Sequence, residues 1–271
     1  MYSVLALDLD GTLTNAKKQI TPKTKDAVQR ARQAGCHIVL ASGRPLLGIE
    51  HVATSLDLMG SEGTILAYNG GQLFDTRTKQ VLWERSVDIE TIRTCFSYAR
   101  AHKLASLSYD EVGIITEMDE DPYVGKEAYN NAIPIRKVSN LINEVSNPMP
   151  KVMIVGEPAR LQKAREDLSL LVGDEADLGF SEPCFMEITA KGVQKASSLL
   201  VLLSLLKKGK DSLMVIGDGF NDVPMFSVAS LAVAMENASD EVKAYAHVIT
   251  ESNEHDGVAL AIEQYILTKQ Q

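Results

Sequence analysis

The chain has 271 residues, which is long for one compact core and favours two structural units. Hydrophobic residues make up 45% and charged residues 23% of the sequence, as is usual for a globular enzyme. The formal net charge of −9 argues against binding to nucleic acid or to an anionic membrane, because both require a basic surface. An anionic small molecule is not excluded, since a metal ion and a few cations can make one site positive.

Cysteine spacing and hydropathy indicate the compartment. The three cysteines lie far apart without a Cys-x-x-Cys pair, which predicts reduced thiols and no zinc site. The longest mainly apolar run, over residues 199–206, is far shorter than the ~20 residues that span a bilayer. The first residues lack the basic leader of a signal peptide. We therefore expect a cytoplasmic protein, a monomer or weak homo-oligomer, with neither nucleic acid nor membrane as a partner.

The first 41 residues predict a βαβ unit. The segment 3–9 is apolar almost throughout and predicts a buried strand, with Asp8 and Asp10 at its carboxyl end. Thr21, followed by proline, predicts the start of a helix. A second apolar strand over 37–41 follows closely. Strand, helix and strand joined by short connections predict a parallel sheet.

The middle of the chain has a different pattern, in which helices and short strands alternate irregularly over residues 84–188. The parallel-sheet pattern then returns, with a helix predicted over 193–207 and a buried strand over 213–216. The predicted fold class is therefore α/β. A doubly wound, Rossmann-like parallel-sheet core is formed by 1–83 and 189–271, and an α+β cap is inserted over 84–188 to select the substrate.

Candidate ligand-binding residues follow three of the predicted core strands: Asp8 and Asp10; Ser42, Gly43 and Arg44; and Asp218, Asn221 and Asp222. A further candidate, Lys195, lies in a predicted core helix. Ligands bind at the carboxyl ends of strands in open parallel sheets, so these side chains are expected to meet. Crowded carboxylates raise each other's pKa or require a cation. Oxygen ligands beside a phosphate favour Mg²⁺. The pattern predicts a magnesium site at this edge.

Competing motifs fail on inspection. An EF-hand loop that included Asp8 and Asp10 would need a glutamate where Lys17 stands. The segment 217–222 has two of the three glycines of a dinucleotide-binding fingerprint. A Gly-x-Ser-x-Gly sequence, typical of serine hydrolases, is absent.

Four segments together resemble the motifs of the haloacid dehalogenase superfamily, and in particular its Cof-type phosphatases with a C2-type cap: Asp8-Leu-Asp10-Gly11-Thr12-Leu13, Ser42-Gly43-Arg44, Lys195, and Gly217-Asp218-Gly219-Phe220-Asn221-Asp222. The resemblance covers roughly residues 1–84 and 188–266. Ser42 stands where threonine is frequent, and Ala196 stands where glycine is usual. Lys191, one helical turn earlier, is the alternative to Lys195.

The resemblance implies a Mg²⁺-dependent phosphatase for small phosphate monoesters, with sugar phosphates as the favoured class and pyridoxal phosphate, flavin mononucleotide and nucleotides as open alternatives. Asp8 would be the nucleophile that forms an aspartyl-phosphate, and Asp10 would be the general acid–base. The metal ligands would be Asp8, the backbone carbonyl of Asp10, Asp218 and Asp222, the last directly or through water. The phosphoryl oxygens would be held by Ser42, the backbone around Gly11 and Gly43, Lys195 and Asn221. Arg44 is a further candidate for phosphate or substrate binding, with capping of a helix as its alternative role.

Two alternatives stay open. A phosphomutase of the same fold would need cap cations to hold a bisphosphate and a cap that excludes water. A non-catalytic phosphosugar-binding protein would be indicated by loss of Asp8 or Asp10, and both aspartates are present.

Overall fold

A computed structural model describes residues 2–268, which form two compact units. The first unit contains the chain up to Ser42, Ile49–Trp83, and the chain from Gln194 onward. The second unit contains Gly43–Gly48 and Glu84–Val193. It therefore includes all of the predicted insertion and also takes in residues 43–48 and 189–193.

Within residues 2–268 the strands are β1 (Val4–Leu7), β2 (His37–Ala41), β3 (Thr64–Ala67), β4 (Gln72–Asp75), β5 (Gln80–Glu84), β6 (Ala105–Tyr109), β7 (Ile114–Thr116), β8 (Ile135–Lys137), β9 (Lys151–Val155), β10 (Ala176–Glu182), β11 (Phe185–Ala190), β12 (Leu213–Gly217), β13 (Leu231–Ala234) and β14 (Val248–Ile249). The α-helices are α1 (Pro22–Gln33), α2 (Leu46–Ser55), α3 (Ile89–Ala101), α4 (Pro122–Asn131), α5 (Leu141–Glu144), α6 (Pro158–Val172), α7 (Lys195–Leu205), α8 (Val223–Phe226), α9 (Asp240–Lys243) and α10 (Gly257–Ile262). Short 3₁₀ turns cover Tyr68–Gly70, Lys210–Ser212 and Phe220–Asp222, and a π-helical turn covers Glu263–Leu267.

The sheet of the first unit has the order β14-β13-β12-β1-β2-β3-β4-β5. β1 pairs in parallel with both β2 and β12, and Leu7 lies opposite Leu40 and Ile216. These central strands are buried along nearly their whole length, which explains why they read as continuous apolar runs. Their carboxyl ends lie at one edge of the sheet, so the predicted parallel α/β core is confirmed.

Helix α7 illustrates how the core positions a polar residue. Leu199, Leu202 and Leu203 of α7 pack in the same hydrophobic cluster as Val4 of β1 and Val215 of β12. This apolar stripe fixes the helix against the sheet, because its burial removes large aliphatic side chains from water. The first residue of α7, Lys195, is thereby brought to a buried position.

The second unit is an α+β structure with a sheet of order β10-β11-β9-β6-β7-β8, in which all pairs but β7–β8 are antiparallel. One face of this sheet, including Val152 and Ile154 of β9, packs in a single cluster with Phe96 of α3 and Leu168 of α6. Side chains alternate along a strand, so Lys151 and its neighbours at every second position lie on the other face. In residues 2–268 no helix combines the length and the apolarity needed to cross a bilayer.

Candidate active site

The turn after β1 places two aspartates at the carboxyl edge of the core sheet. The backbone N–H of Asp8 donates to the carbonyl of Ile216 at 3.0 Å, so the parallel pairing extends one residue beyond the strand. Gly11 has φ +83°, and a Cβ at this position would collide with the carboxylate of Asp218. Glycine is therefore required both for the left-handed backbone and for the close approach.

Three carboxylates converge at this edge. Asp8, Asp218 and Asp222 can each place one oxygen within 4.8 Å of the others. Asp222 is fully buried and accepts hydrogen bonds from the backbone N–H groups of Asp218 (3.0 Å) and Gly219 (2.9 Å). The hydroxyl of Thr12 donates to Asp218 Oδ1 at 2.7 Å. The carboxylates of Asp218 and Asp222 are thus each held in one orientation by hydrogen bonds.

A buried lysine lies between two of these carboxylates. Lys195 Nζ donates to Asp8 Oδ1 at 2.6 Å and to Asp222 Oδ1 at 2.7 Å. Burial disfavours the ammonium, but attraction by Asp222 and Asp8 outweighs it, so the pKa of Lys195 is raised and the side chain stays charged. Lys191, the alternative in the sequence, instead pairs with Asp174 and Asp177 in the second unit.

The electrostatics of the cluster suit a hard cation. Burial, followed by the charge of Asp222, raises the pKa of Asp8 well above its ordinary value, although Lys195 opposes this. Burial also raises the pKa of Asp218 to about 6, against the hydrogen bond from Thr12. One ammonium therefore does not compensate three carboxylates in a desolvated site. An oxygen-only donor set with excess negative charge fits Mg²⁺.

Asp10 occupies a different environment from Asp8. It is partly exposed, forms an isolated bridge with Thr14, and accepts a hydrogen bond from Lys18. Its carboxylate is not a member of the cluster of three carboxylates. The metal contact predicted for Asp10 is made by its backbone carbonyl, so the position of the carboxylate does not affect that prediction. A carboxyl that stays near water is suited to exchanging protons.

The predicted phosphoryl-binding residues lie in both units. Ser42 follows β2 and is buried; its N–H donates to Leu66 O and its carbonyl accepts from Asn69 N–H, both at 2.9 Å. Asn221 is exposed and donates to Asn69 Oδ1 at 3.2 Å. Gly43 and Arg44 belong to the second unit, where Arg44 donates to the carbonyl of Gly48 at 3.5 Å.

Sequence reasoning gave no role to several residues that support the turn after β1. Besides Thr12 and Lys18, Asn237 donates to the carbonyl of Gly11 at 2.8 Å. Asn253 in turn donates from its backbone to Asn237 Oδ1 at 3.0 Å. A signal for Asn237 existed, because it closely follows β13, another parallel strand that ends at this edge.

Comparison with known proteins identifies the family. A model of the haloacid dehalogenase-like hydrolases matches residues 5–262. The chain belongs to this family. The hydrolase is 30% identical to the Bacillus subtilis protein YxeH, which carries a provisional phosphatase name, over 99% of this chain and 100% of the relative.

Two further comparisons extend over nearly all of this chain. The Bacillus subtilis 5-amino-6-(5-phospho-D-ribitylamino)uracil phosphatase YcsE is 27% identical over 97% of this chain and 96% of its own length. A solved haloacid dehalogenase-like hydrolase from Bacteroides thetaiotaomicron is 38% identical, with a TM-score of 0.95 over 97% of this chain and 99% of that chain. The similarity therefore includes the segment inserted into the core.

Proposed function

We propose that this phosphatase hydrolyses small phosphate monoesters in a Mg²⁺-dependent reaction, through an aspartyl-phosphate on Asp8. The observation that carries the proposal is the buried cluster in which Lys195 bridges Asp8 and Asp222 beside Asp218. A structural ion pair would need one carboxylate per lysine. Three carboxylates around one lysine leave excess negative charge, which the metal ion of a metal–phosphate complex would balance.

Asp8 supplies the nucleophilic oxygen. The hydrogen bond from Lys195 holds its carboxylate in one orientation and favours the charged form. Attack on phosphorus forms an acyl-phosphate and breaks the ester bond, while Asp10 donates a proton to the departing alkoxide. Asp10 then takes a proton from water, which attacks the acyl-phosphate to release inorganic phosphate and restore Asp8.

Residues around Asp8 would orient the phosphoryl group. The hydroxyl of Ser42, the ammonium of Lys195 and the amide of Asn221 are donors, and the backbones at Gly11 and Gly43 and the side chain of Arg44 would add further donors. Such groups stabilise the negative oxygens of the transferred group, which supplies most of the catalysis in phosphoryl transfer.

Asp8, the backbone carbonyl of Asp10, Asp218 and Asp222 would hold Mg²⁺. When bound, the ion neutralises charge on the carboxylates and on the phosphate. The raised pKa values of Asp8 and Asp218 support this set, because each carboxyl gains a favourable partner for its charged form.

Sugar and polyol phosphates are the substrate class that we propose, with the segment 84–188 as the cap that selects among them. The resemblance to Cof-type phosphatases supports this class, as does the similarity to a phosphatase named for a phosphoribityl compound. The proposed partner is thus a small phosphate ester, and the proposed location is the cytoplasm. Hydrolysis is favoured over a binding role because both Asp8 and Asp10 are present.

Phosphate release from a panel of sugar phosphates, nucleotides and cofactor phosphates tests the proposal. With Mg²⁺ present we expect turnover of several esters, and a chelator should abolish it until Mg²⁺ is restored. Full turnover by metal-free protein would contradict the metal assignment. Conversion of one sugar phosphate into another without phosphate release would indicate a mutase. Binding of esters without any turnover would indicate the non-catalytic alternative.

A further inference from the structure

The second unit contains a buried lysine that binds a backbone carbonyl of the loop following β2. Lys151, the first residue of β9, is 2% exposed. Its Nζ donates to the carbonyl of Gly43 at 2.9 Å and to Glu187 Oε1, on β11, at 2.8 Å. It also lies 5.9 Å from the centre of the Tyr109 ring, on β6. A single ammonium thus joins two strands to one loop carbonyl.

Stability alone is a weak reason for such an arrangement. Removing an ammonium and a carboxylate from water costs about as much free energy as their attraction returns, so apolar residues of similar size are often as stabilising. Glu187 balances the charge of Lys151. The ammonium of Lys151 also donates a hydrogen bond to the carbonyl of Gly43. The pair therefore provides a directional hydrogen bond to one chosen carbonyl.

The other end of the same segment is held by the inserted residues as well. A Cβ on Gly48 would lie 2.8 Å from Asn131 Oδ1, so α4 packs directly against the backbone there. Asn131 is itself buried and donates to Glu127 Oε1 at 2.8 Å. Residues 43–48 are consequently anchored at both ends within the second unit, immediately after Ser42.

The hydrogen bonds on either side of Gly43 determine the direction of two peptide groups. In a trans peptide the C=O and the following N–H point in opposite directions. Asn69 N–H binds the carbonyl of Ser42, which orients the N–H of Gly43. Lys151 binds the carbonyl of Gly43, which orients the N–H of Arg44. Since glycine rotates more freely than any other residue, hydrogen bonds on both of its sides restrict this turn to one conformation.

We propose that Lys151 is a positioning residue for phosphoryl transfer, acting through the carbonyl of Gly43 on the phosphoryl-binding loop formed by Ser42, Gly43 and Arg44. The inference rests on the proposed function, because that function assigns the loop to the phosphoryl group. The hydrogen bonds of Lys151 go to Gly43 and Glu187, so its action on the phosphoryl group is indirect. Because the phosphoryl group is common to all phosphate monoesters, the effect is the same for every ester, whatever alcohol leaves.

The test replaces Lys151 by methionine together with Glu187→Gln, so that no unbalanced charge is created. Hydrogen exchange of the peptide containing residues 42–48 should accelerate about 10-fold, the effect of losing one charged hydrogen bond. Values of kcat/KM should fall by about 10-fold for an aryl phosphate and for sugar phosphates alike. Exchange should not change in β1 and β12 of the first unit or in β6 and β10 of the second, which shows that both units remain folded and that the effect is confined to residues 42–48.

Lys163→Met with Asp167→Asn is the matched control. It removes a lysine–carboxylate pair of 2.8 Å from α6 in the same unit, in which Lys163 is exposed and Asp167 half-buried. An asparagine oxygen at position 167 can still accept the hydrogen bond from the Tyr98 hydroxyl. Neither the exchange of residues 42–48 nor kcat/KM should change. If the first double variant does not fold, Lys151→Gln with Glu187→Gln keeps a polar pair on the strands with a shorter reach, and the same two changes are expected.

The outcomes separate the inference from the function on which it depends. Unchanged exchange in residues 42–48 overturns the positioning role, whatever happens to activity. A loss of kcat/KM that differs among esters also overturns it, because Lys151 would then contact the leaving group. If exchange accelerates but the wild-type protein turns over no ester, the proposed function is wrong while the hold of Lys151 on the loop is supported.

Discussion

At the scale of single residues, the candidate site concentrates charge where water is excluded. Lys195 and Asp222 are completely buried, and Asp8 is nearly so. Breaking such a pair by removing one partner is far more costly than exchanging both, because a bare charge remains in a medium of low dielectric constant. The site is therefore stable only as a set, and each member constrains the protonation of the others.

Replacing each of the two aspartates after β1 by asparagine should change the kinetics in a different way. Asp8→Asn removes the nucleophile and should abolish turnover of every ester. Asp10→Asn should slow sugar phosphates strongly but still phosphorylate Asp8 from an aryl ester, whose leaving group needs little protonation. Without Asp10 as the base, hydrolysis of the aspartyl-phosphate is slow. A burst of aryl alcohol should therefore precede a low steady rate in rapid-quench kinetics.

Acid-quenched protein from that burst should carry one phosphoryl group on the peptide containing Asp8. Asp240→Asn, which changes a fully exposed carboxylate on α9, serves as the control and should show wild-type kinetics. A label on another peptide, or turnover of an aryl phosphate by Asp8→Asn, would show that the roles are assigned wrongly.

At the scale of elements, side-chain caps determine where several helices begin. Thr21, Asp88 and Asp121 each accept hydrogen bonds from backbone N–H groups in the first turn of the helix that follows. These N–H groups have no partner within the helix, so a cap removes an unsatisfied donor. Asp88 is the clearest case, because it accepts from two N–H groups at 3.0 Å and from the Thr91 hydroxyl at 2.6 Å.

Asp88→Ala should lower the free energy of unfolding of the second unit by about 1 kcal/mol at neutral pH, as measured by urea denaturation. Hydrogen bonds from Thr91 hold the pKa of Asp88 below its ordinary value of 3.8. The stabilisation is therefore complete above pH 3.8 and is lost as the pH falls through the lower folded value. The difference from wild type should shrink in strong acid.

An exposed carboxylate outside a helix provides the comparison for Asp88. Glu111→Ala, in the loop between β6 and β7, should change the free energy of unfolding by less than about 0.5 kcal/mol. An Asp88→Ala variant no less stable than Glu111→Ala would show that the cap does not determine the stability of α3.

At the scale of the whole molecule, the carboxylate cluster connects metal binding, pH and stability. The pKa of Asp218 is about 6 in the folded protein against an ordinary value of 3.8, because burial disfavours its charge. Between pH 3.8 and about pH 6 the folded state therefore binds more protons at Asp218 than the unfolded state does. The contribution of Asp218 to the stability of metal-free protein therefore decreases as the pH rises through this range. Asp8 acts in the same direction, since its pKa is also raised.

Mg²⁺ should consequently raise Tm more at pH 7.5 than at pH 5, because at the lower pH it competes with protons on the same carboxylates. Thermal unfolding with and without a chelator at the two pH values measures this difference. Asp218→Asn should reduce the Tm increase at pH 7.5, while Asp240→Asn should leave it unchanged. Equal increases at both pH values in the wild type would contradict the coupling.

Local patterns were sufficient for the core strands and for the polar residues after them. β1, β2 and β12 are short apolar runs that end at Asp8, Ser42 and Asp218, and buried parallel strands are recognisable in this form. The choice between Lys191 and Lys195 was not local. Both lie near the predicted start of a helix, but α7 begins only at Lys195, and the packing of α7 brings that residue to Asp8.

The sequence by itself determined the fold class, the central core strands and the chemical types available at their ends, because these follow from residue spacing and hydrophobic period. Tertiary structure alone decided which partners meet across long separations. Lys195 reaches Asp8 across 187 residues, and Lys151 reaches Gly43 across 108. Such contacts have no local signature, since each depends on the packing of whole sheets and helices that bring distant backbone into hydrogen-bonding range.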